Sequence, residues 1–160
     1  MLARLAAEAA GEDNTYRQAT IYEIQRVRTV IDFAGRSVAA PMYELGPWRI
    51  PRGFSILVSL LQMHLNPDEF PDPERFDPQR FVDRKPNTYA WVPFGGGTRR
   101  CVGAAFANME MDVVLRTLLR TMTIQATDRP GEKSHNRGVA YTPKRGARAV
   151  VHRRSAVPGK

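Results

Sequence analysis

Cys101 is the only cysteine in the chain, and the residues around it are arranged to make its sulfur an anion. It lies in Trp91–Gly103, which reads Trp-Val-Pro-Phe-Gly-Gly-Gly-Thr-Arg-Arg-Cys-Val-Gly. Consecutive glycines at 95, 96 and 97 permit sharp, non-repetitive backbone that a Cβ would hinder. Pro93 fixes φ at the entry and withholds a donor. Arg99 and Arg100 bring two positive charges beside the sulfur, which favours thiolate over thiol. From Ala104 the sequence turns strongly helical, which puts Cys101 just before a helix N-terminus, where unpaired N–H groups and the macrodipole stabilise an anion. A thiolate so placed is a nucleophile or a metal ligand. An inert, small buried hydrophobe is the competing reading for an isolated cysteine.

The order of residues decides between them. Phe94-Gly95-Gly96-Gly97-Thr98-Arg99-Arg100-Cys101-Val102-Gly103 resembles the haem-binding loop of the cytochrome P-450 family, Phe-x-x-Gly-x-Arg-x-Cys-x-Gly, and matches it at Phe94, Gly97, Arg99, Cys101 and Gly103. The resemblance implies a haem whose iron takes its axial thiolate from Cys101, in the setting where sulfur pushes electron density toward iron and favours O–O cleavage.

Elements must hold that loop. Residues 1–10 read as a short helix or the end of a longer one, stopped at Gly11. Thr15–Arg28 reads as a second helix with Ala19, Tyr22, Ile24 and Val27 for a buried side and Asn14 or Thr15 as its cap. Its Glu23-Ile24-Gln25-Arg26 places a carboxylate and a guanidinium on one face. This resembles the family's Glu-x-x-Arg helix. Asn66–Phe81 is dense in Pro and Phe, as suits an irregular but packed segment. It resembles the family's meander, with Pro78-Gln79-Arg80-Phe81 at the Pro-Glu-Arg-Phe position and Gln79 departing from the usual Glu. The resemblance implies that Glu23, Arg26 and Arg80 form a buried structural triad that locks the haem loop in place.

Val30–Ala39 reads as an extended segment with a turn at Gly35, and Arg36 stands where the family commonly pairs an arginine with a haem propionate. Tyr43–Val58 reads as strands joined at Gly46-Pro47, continuing into a buried strand and a helix around Leu60. Met63 and His64 lack partner ligands and receive no role. After the cysteine, Gly103–Met122 reads as a long helix with Met111, Val114, Leu115, Leu118, Leu119 and Met122 as its packed stripe and Arg116 and Arg120 outside it. Val139–Thr142 and Ala149–His152 read as strands of a C-terminal hairpin turning at Pro143–Gly146.

Composition bounds the rest. The chain has 160 residues, 42% hydrophobic and 25% charged, an ordinary globular balance. The net charge of +8 comes from residues 129–160, which hold nine Lys/Arg and one acid, while residues 1–128 hold 15 bases and 15 acids. A nucleic-acid-binding module is the remote reading of that tail; the bases are interleaved with Val139, Tyr141, Val150 and Val151, and a solvated hairpin is favoured. One cysteine agrees with a reducing compartment, and no apolar run reaches membrane-span length. A soluble cytoplasmic protein is expected, without membrane or nucleic-acid partners.

The fold expected is therefore α+β, mostly helical with small β-sheets: residues 1–160 as the C-terminal, haem-binding part of a cytochrome P-450 domain of the soluble bacterial type. The resemblance implies a monooxygenase that inserts one atom of O₂ into a small organic substrate, with electrons from a ferredoxin or flavoprotein reductase. Nothing in the chain corresponds to the family's long central helix with its acidic-Thr pair, so the alternative is a C-terminal fragment without catalysis of its own.

Overall fold

A computed structural model describes residues 1–125 and 131–154. Its elements run α1 (Leu2–Ala10), α2 (Thr15–Val27), β1 (Phe33–Ser37), β2 (Met42–Leu45), β3 (Trp48–Pro51), β4 (Ser55–Ser59), α3 (Leu60–His64), α4 (Ala104–Thr121), β5 (Met122–Gln125), β6 (Ser134–Arg137), β7 (Ala140–Pro143) and β8 (Val150–Arg153). Single 3₁₀ turns form at Pro78–Phe81 and Gly97–Arg99. Helices and small antiparallel sheets give the expected α+β architecture.

The first two helices are stitched together at a cap. Asn14 stands at the N-cap of α2, yet its side chain makes no capping bond. The Glu8 carboxylate of α1 does so instead, accepting the amides of Tyr16 and Arg17 at 2.8 Å each. A carboxylate there satisfies two orphan donors and complements the helix dipole. Asp13 accepts the Thr15 amide and hydroxyl at 3.0 and 2.7 Å. Those bonds, the hydroxyl's first, hold the Asp13 carboxyl below its ordinary value.

Helix α2 is buried on nearly every side. Ala19 is buried as expected, but Tyr22, Ile24 and Val27 are only half-buried, and Arg17, Thr20, Glu23, Gln25 and Arg26 are inside. The cause is that α2 lies between α4 on one flank and the 3₁₀ turn of the meander on the other. One apolar cluster joins Ala19 to Phe70, Phe81, Ala90 and Trp91, with Tyr22 meeting Trp91 edge-on at 5.0 Å. A second joins Leu5, Ala9 and Tyr16 to Leu119. Phe76, by contrast, stays exposed.

Four two-stranded sheets form among the described residues. β1 and β4 pair from Phe33 opposite Ser59 to Ser37 opposite Ser55. Gly35 makes no turn: it sits mid-strand opposite Leu57, whose Cδ2 would lie 3.2 Å from an added Cβ. The β2–β3 hairpin closes at Gly46-Pro47 as expected, with Gly46 at φ 54°. β4 is not a buried strand, since Leu57 and Val58 are both exposed.

The expected C-terminal hairpin is re-paired. β7 folds back on β6 through Gly138 at φ 81°, and β8 pairs with β5, at the end of α4. Composition finds both strands; partner choice follows the nearer turn and the exit of α4. Of the α4 stripe only Leu119 is buried, with Ala104 at the helix start, whereas Val114 and Leu118 are exposed. Among the described residues α4 packs against α1 and α2 and runs on into β5. Arg116 lies outside the stripe and donates to the Gly11 carbonyl. Arg129 and Lys160 of the basic segment fall outside the described residues. No helix among the described residues is long and apolar enough to cross a membrane.

Candidate functional site

The loop that carries Cys101 is fixed at its entry and at its exit. At the entry, Trp91 is in the core and its indole N–H donates to the Tyr22 carbonyl at 3.0 Å. Val92 follows with its amide on His64 Nε2 at 3.0 Å and its carbonyl accepting from Gly95. Gly95 and Gly97 then take the left-handed conformation, φ 70° and 65°, which L side chains resist, while Gly96 is extended at φ −147°. The Cys101 amide donates back to the Phe94 carbonyl at 3.0 Å, closing the loop. At the exit, Gly103 caps α4, and a Cβ on it would lie 3.7 Å from the Cys101 sulfur. Glycine leaves that side of the sulfur bare.

Cys101 is a free, exposed thiol. It opens into a cleft of about 560 Å³ whose lining includes Ile24, Leu60, Phe94 and Met111, and to which Arg36 and Arg99 contribute. The two loop arginines part company. Arg99 shares the cleft with Cys101, whereas Arg100 lies over the Phe94 ring, 5.9 Å from its centroid, and lines a separate cleft with Tyr89. Of the two arginines, only Arg99 lines the cleft that Cys101 lines. Arg36 is exposed on β1, with Nη1 donating to the Gly35 carbonyl at 2.7 Å.

Glu23, Arg26 and Arg80 come together behind this loop. The Glu23 and Arg26 side chains are both 0% exposed and form a bidentate pair at 2.7 and 2.8 Å. The remaining Arg26 donors reach the carbonyls of His64, Pro73 and Arg75, so every N–H of the guanidinium is used. Arg80 stands 3.5 Å from Glu23 Oε1, a charge contact, and donates to the Asp72 carbonyl at 2.9 Å. Glu23 also accepts the Asp77 amide at 2.8 Å. Among the described residues these bonds grip the meander and α3 rather than residues 93–103, so any hold on the cysteine loop is transmitted rather than direct. Gln79 is exposed and accepts from Arg4, which explains why the departure from Glu leaves Arg80 in place.

Three features escaped the sequence reading. Arg17 reaches Asp112 on α4 at 2.5 Å, and Gln25 donates to Asn108 at 2.9 Å, tying α2 to the helix that follows the cysteine. His64 is wholly buried, between Thr29 Oγ1 at 2.9 Å and the Val92 amide. Each pair spans too many residues for a local pattern to reveal it. Among the described residues no group of three or more His, Cys, Asp or Glu could hold a metal ion.

Compared with known families, residues 8–148 match Cytochrome P450. The chain belongs to the cytochrome P450 family. It is 60% identical over 154 residues to cytochrome P450 138 of Mycobacterium tuberculosis, covering 96% of this chain and 35% of that protein. Cytochrome P450 135B1 of Mycobacterium bovis is 40% identical over 149 residues, covering 93% of this chain and 31% of that protein. Among solved structures, retinoic-acid-bound cyanobacterial CYP120A1 superposes with a TM-score of 0.73 at 27% identity, over 86% of this chain and 32% of that one. The chain thus spans about a third of the length of the curated P450 relatives it matches. P450 haem is held by a cysteine thiolate.

Proposed function

We propose that this chain forms the thiolate side of the haem pocket of a monooxygenase-type oxidoreductase, with Cys101 as the iron ligand. One observation carries the proposal: an exposed Cys101 sulfur at the foot of an 18-residue helix, opening into a largely apolar cleft to which Arg28, Arg36 and Arg99 contribute. The donor set fits the group. Haem is a flat apolar ring with anionic propionates on one edge, and the cleft offers apolar walls with Arg28, Arg36 and Arg99 for charge-assisted bonds, beside a single acid, Glu110. Phe94 lines the same cleft as the sulfur, Gly97 turns the loop, and Gly103 leaves the approach to the sulfur open.

When bound, the haem supplies activation of dioxygen for insertion of one oxygen atom into a C–H bond. The chain's residues serve that chemistry by holding the sulfur. The sulfur stands just before the start of α4, and Arg99 lines the same cleft. Glu23, Arg26 and Arg80 fix the meander against α2 as a structural triad. Residues 1–160 form part of a P450 domain in this reading, taking electrons from a ferredoxin or flavoprotein reductase, acting on a small organic substrate, and working in the cytoplasm without membrane or nucleic-acid partners.

A second reading, that the 160-residue chain binds haem weakly and does not turn over, is supported by its covering 35% of cytochrome P450 138 and 31% of cytochrome P450 135B1. Oxygen chemistry needs a shielded pocket and a positioned substrate as well as a ligated iron. Reconstitution with hemin tests the core of both. The ferrous–carbon monoxide spectrum should carry the thiolate signature in the unmutated chain and lose it in Cys101→Ser; identical spectra would reject thiolate ligation. Substrate hydroxylation coupled to NAD(P)H, with this chain as the sole haem protein, would then reject the second reading.

A further inference from the structure

We infer that His64 is a positioning residue for Cys101: its neutral ring, protonated at Nδ1 and bare at Nε2, grips the Val92 amide and ties the entry of the cysteine loop to the C-terminal end of α2. The inference rests on the haem-thiolate reading for its purpose and on hydrogen-bond direction for its content. An amide can only donate, so the Val92 N–H, 3.0 Å away, requires Nε2 to accept. A neutral ring then carries its proton on Nδ1, which faces Thr29 Oγ1 at 2.9 Å. The Thr29 hydroxyl in turn donates to the Arg26 carbonyl at 3.1 Å. One direction runs through the whole chain of bonds, from the loop amide through the ring and hydroxyl to the helix carbonyl.

His64 is also held from behind, since its own carbonyl accepts Arg26 Nη1 at 2.9 Å. Arg26 therefore touches His64 twice, once through its guanidinium and once, by way of Thr29, through its backbone. His64 is 0% and Val92 7% exposed, so water cannot replace either partner. Between Val92 and Cys101 the chain has no comparable hydrogen bond into the core among the described residues. Pro93 has no N–H, and the Phe94 carbonyl is taken by the Cys101 amide itself. A shift at Val92 is thus passed directly to the Phe94–Cys101 bond. Through this bond the Glu23–Arg26 pair, which makes no hydrogen bond of its own to residues 93–103 among the described residues, acts on the sulfur's position.

The full chain, without haem, gives the first test. Nitrogen NMR of the His64 ring at neutral pH should show Nδ1 protonated and Nε2 unprotonated; an Nε2–H ring or a cationic ring overturns the inference without any mutation. In His64→Leu, hydrogen exchange at the Val92 amide should accelerate about tenfold or more. The neighbouring Trp91 amide, bonded to the Asn87 carbonyl, should keep its protection. His64→Gln, which retains an acceptor within reach, should restore slow exchange at Val92. If both variants behave alike, the side chain merely fills space and the inference fails; if neither folds, the ring tautomer of the unmutated chain decides.

The second test reads the sulfur. After hemin reconstitution, the fraction showing the thiolate carbon monoxide signature should fall in His64→Leu and recover in His64→Gln. An unchanged fraction in His64→Leu rejects the positioning role. Cys101→Ser keeps the outcomes separable: a wild-type spectrum in that variant rejects the haem-thiolate reading, whereas Val92 exchange still judges His64.

Discussion

Glu23→Ala should be the most damaging single truncation in α2. The Glu23 carboxylate accepts from Arg26 at 2.7 and 2.8 Å and from the Asp77 amide at 2.8 Å, with Arg80 at 3.5 Å. Both members of the Glu23–Arg26 pair are 0% exposed. Removing the acid leaves Arg26 three carbonyls but no counter-charge and leaves Arg80 facing it unscreened. Breaking a buried pair on one side costs about 3–5 kcal/mol. The same molecule holds an internal control: Glu44 and Arg49 stand 3.9 Å apart with side chains 77% and 72% exposed. Glu44→Ala should cost under about 1 kcal/mol. Urea unfolding followed by tryptophan fluorescence reads the difference, because Trp91 lies in the core while Trp48 is 70% exposed and changes little. Replacing the pair together, Glu23→Leu with Arg26→Met, should cost less than Glu23→Ala alone. A Glu23→Ala loss below about 1 kcal/mol would refute the buried-triad reasoning.

Three further outcomes follow from other contacts. Burial, and then the Arg26 charge, push His64 from 6.5 down to about 4, so on acidification the unfolded chain takes up a proton that the native ring refuses. Stability should therefore be full above about pH 6.5 and fall by about 3 kcal/mol on the way to pH 4, a slope that His64→Gln should lack in urea melts across that range. Asp112→Asn should cost about 1.5–3 kcal/mol in the same assay, since Arg17 is 3% exposed and depends on that carboxylate. Gly97→Ala should cost about 1–2 kcal/mol at φ 65°, while Gly96→Ala, extended and with open space around it, should stay within about 0.5 kcal/mol.

Local pattern revealed what is locally encoded. The glycine-rich approach to Cys101, the helix after it and the Glu23–Arg26 spacing each lie within a few consecutive residues, so composition and period expose them. His64 was passed over because its partners Thr29 and Val92 are 35 and 28 residues away. The α4 stripe shows the complementary failure: a 3.6-residue period announces a helix but not which of its faces finds a neighbour, and Val114 and Leu118 remain in solvent. Strand pairing failed for the same reason. Residues 139–142 and 149–152 read as extended, yet their partners are set by Gly138 and by where α4 ends, not by the strands themselves. Glu8 in place of Asn14 as the cap of α2 is one more case in which a distant side chain supplants a nearby one.

The single exposed cysteine also makes the chain a counter of its own occupancy. With one thiol per molecule, and that thiol in the cleft, a colorimetric thiol titration counts open clefts directly. A ligand that covers the sulfur subtracts from the count mole for mole, whatever its colour. A probe attached there enters at one known point, between Phe94 and the first turn of α4, so the label and the site it reports on are the same place.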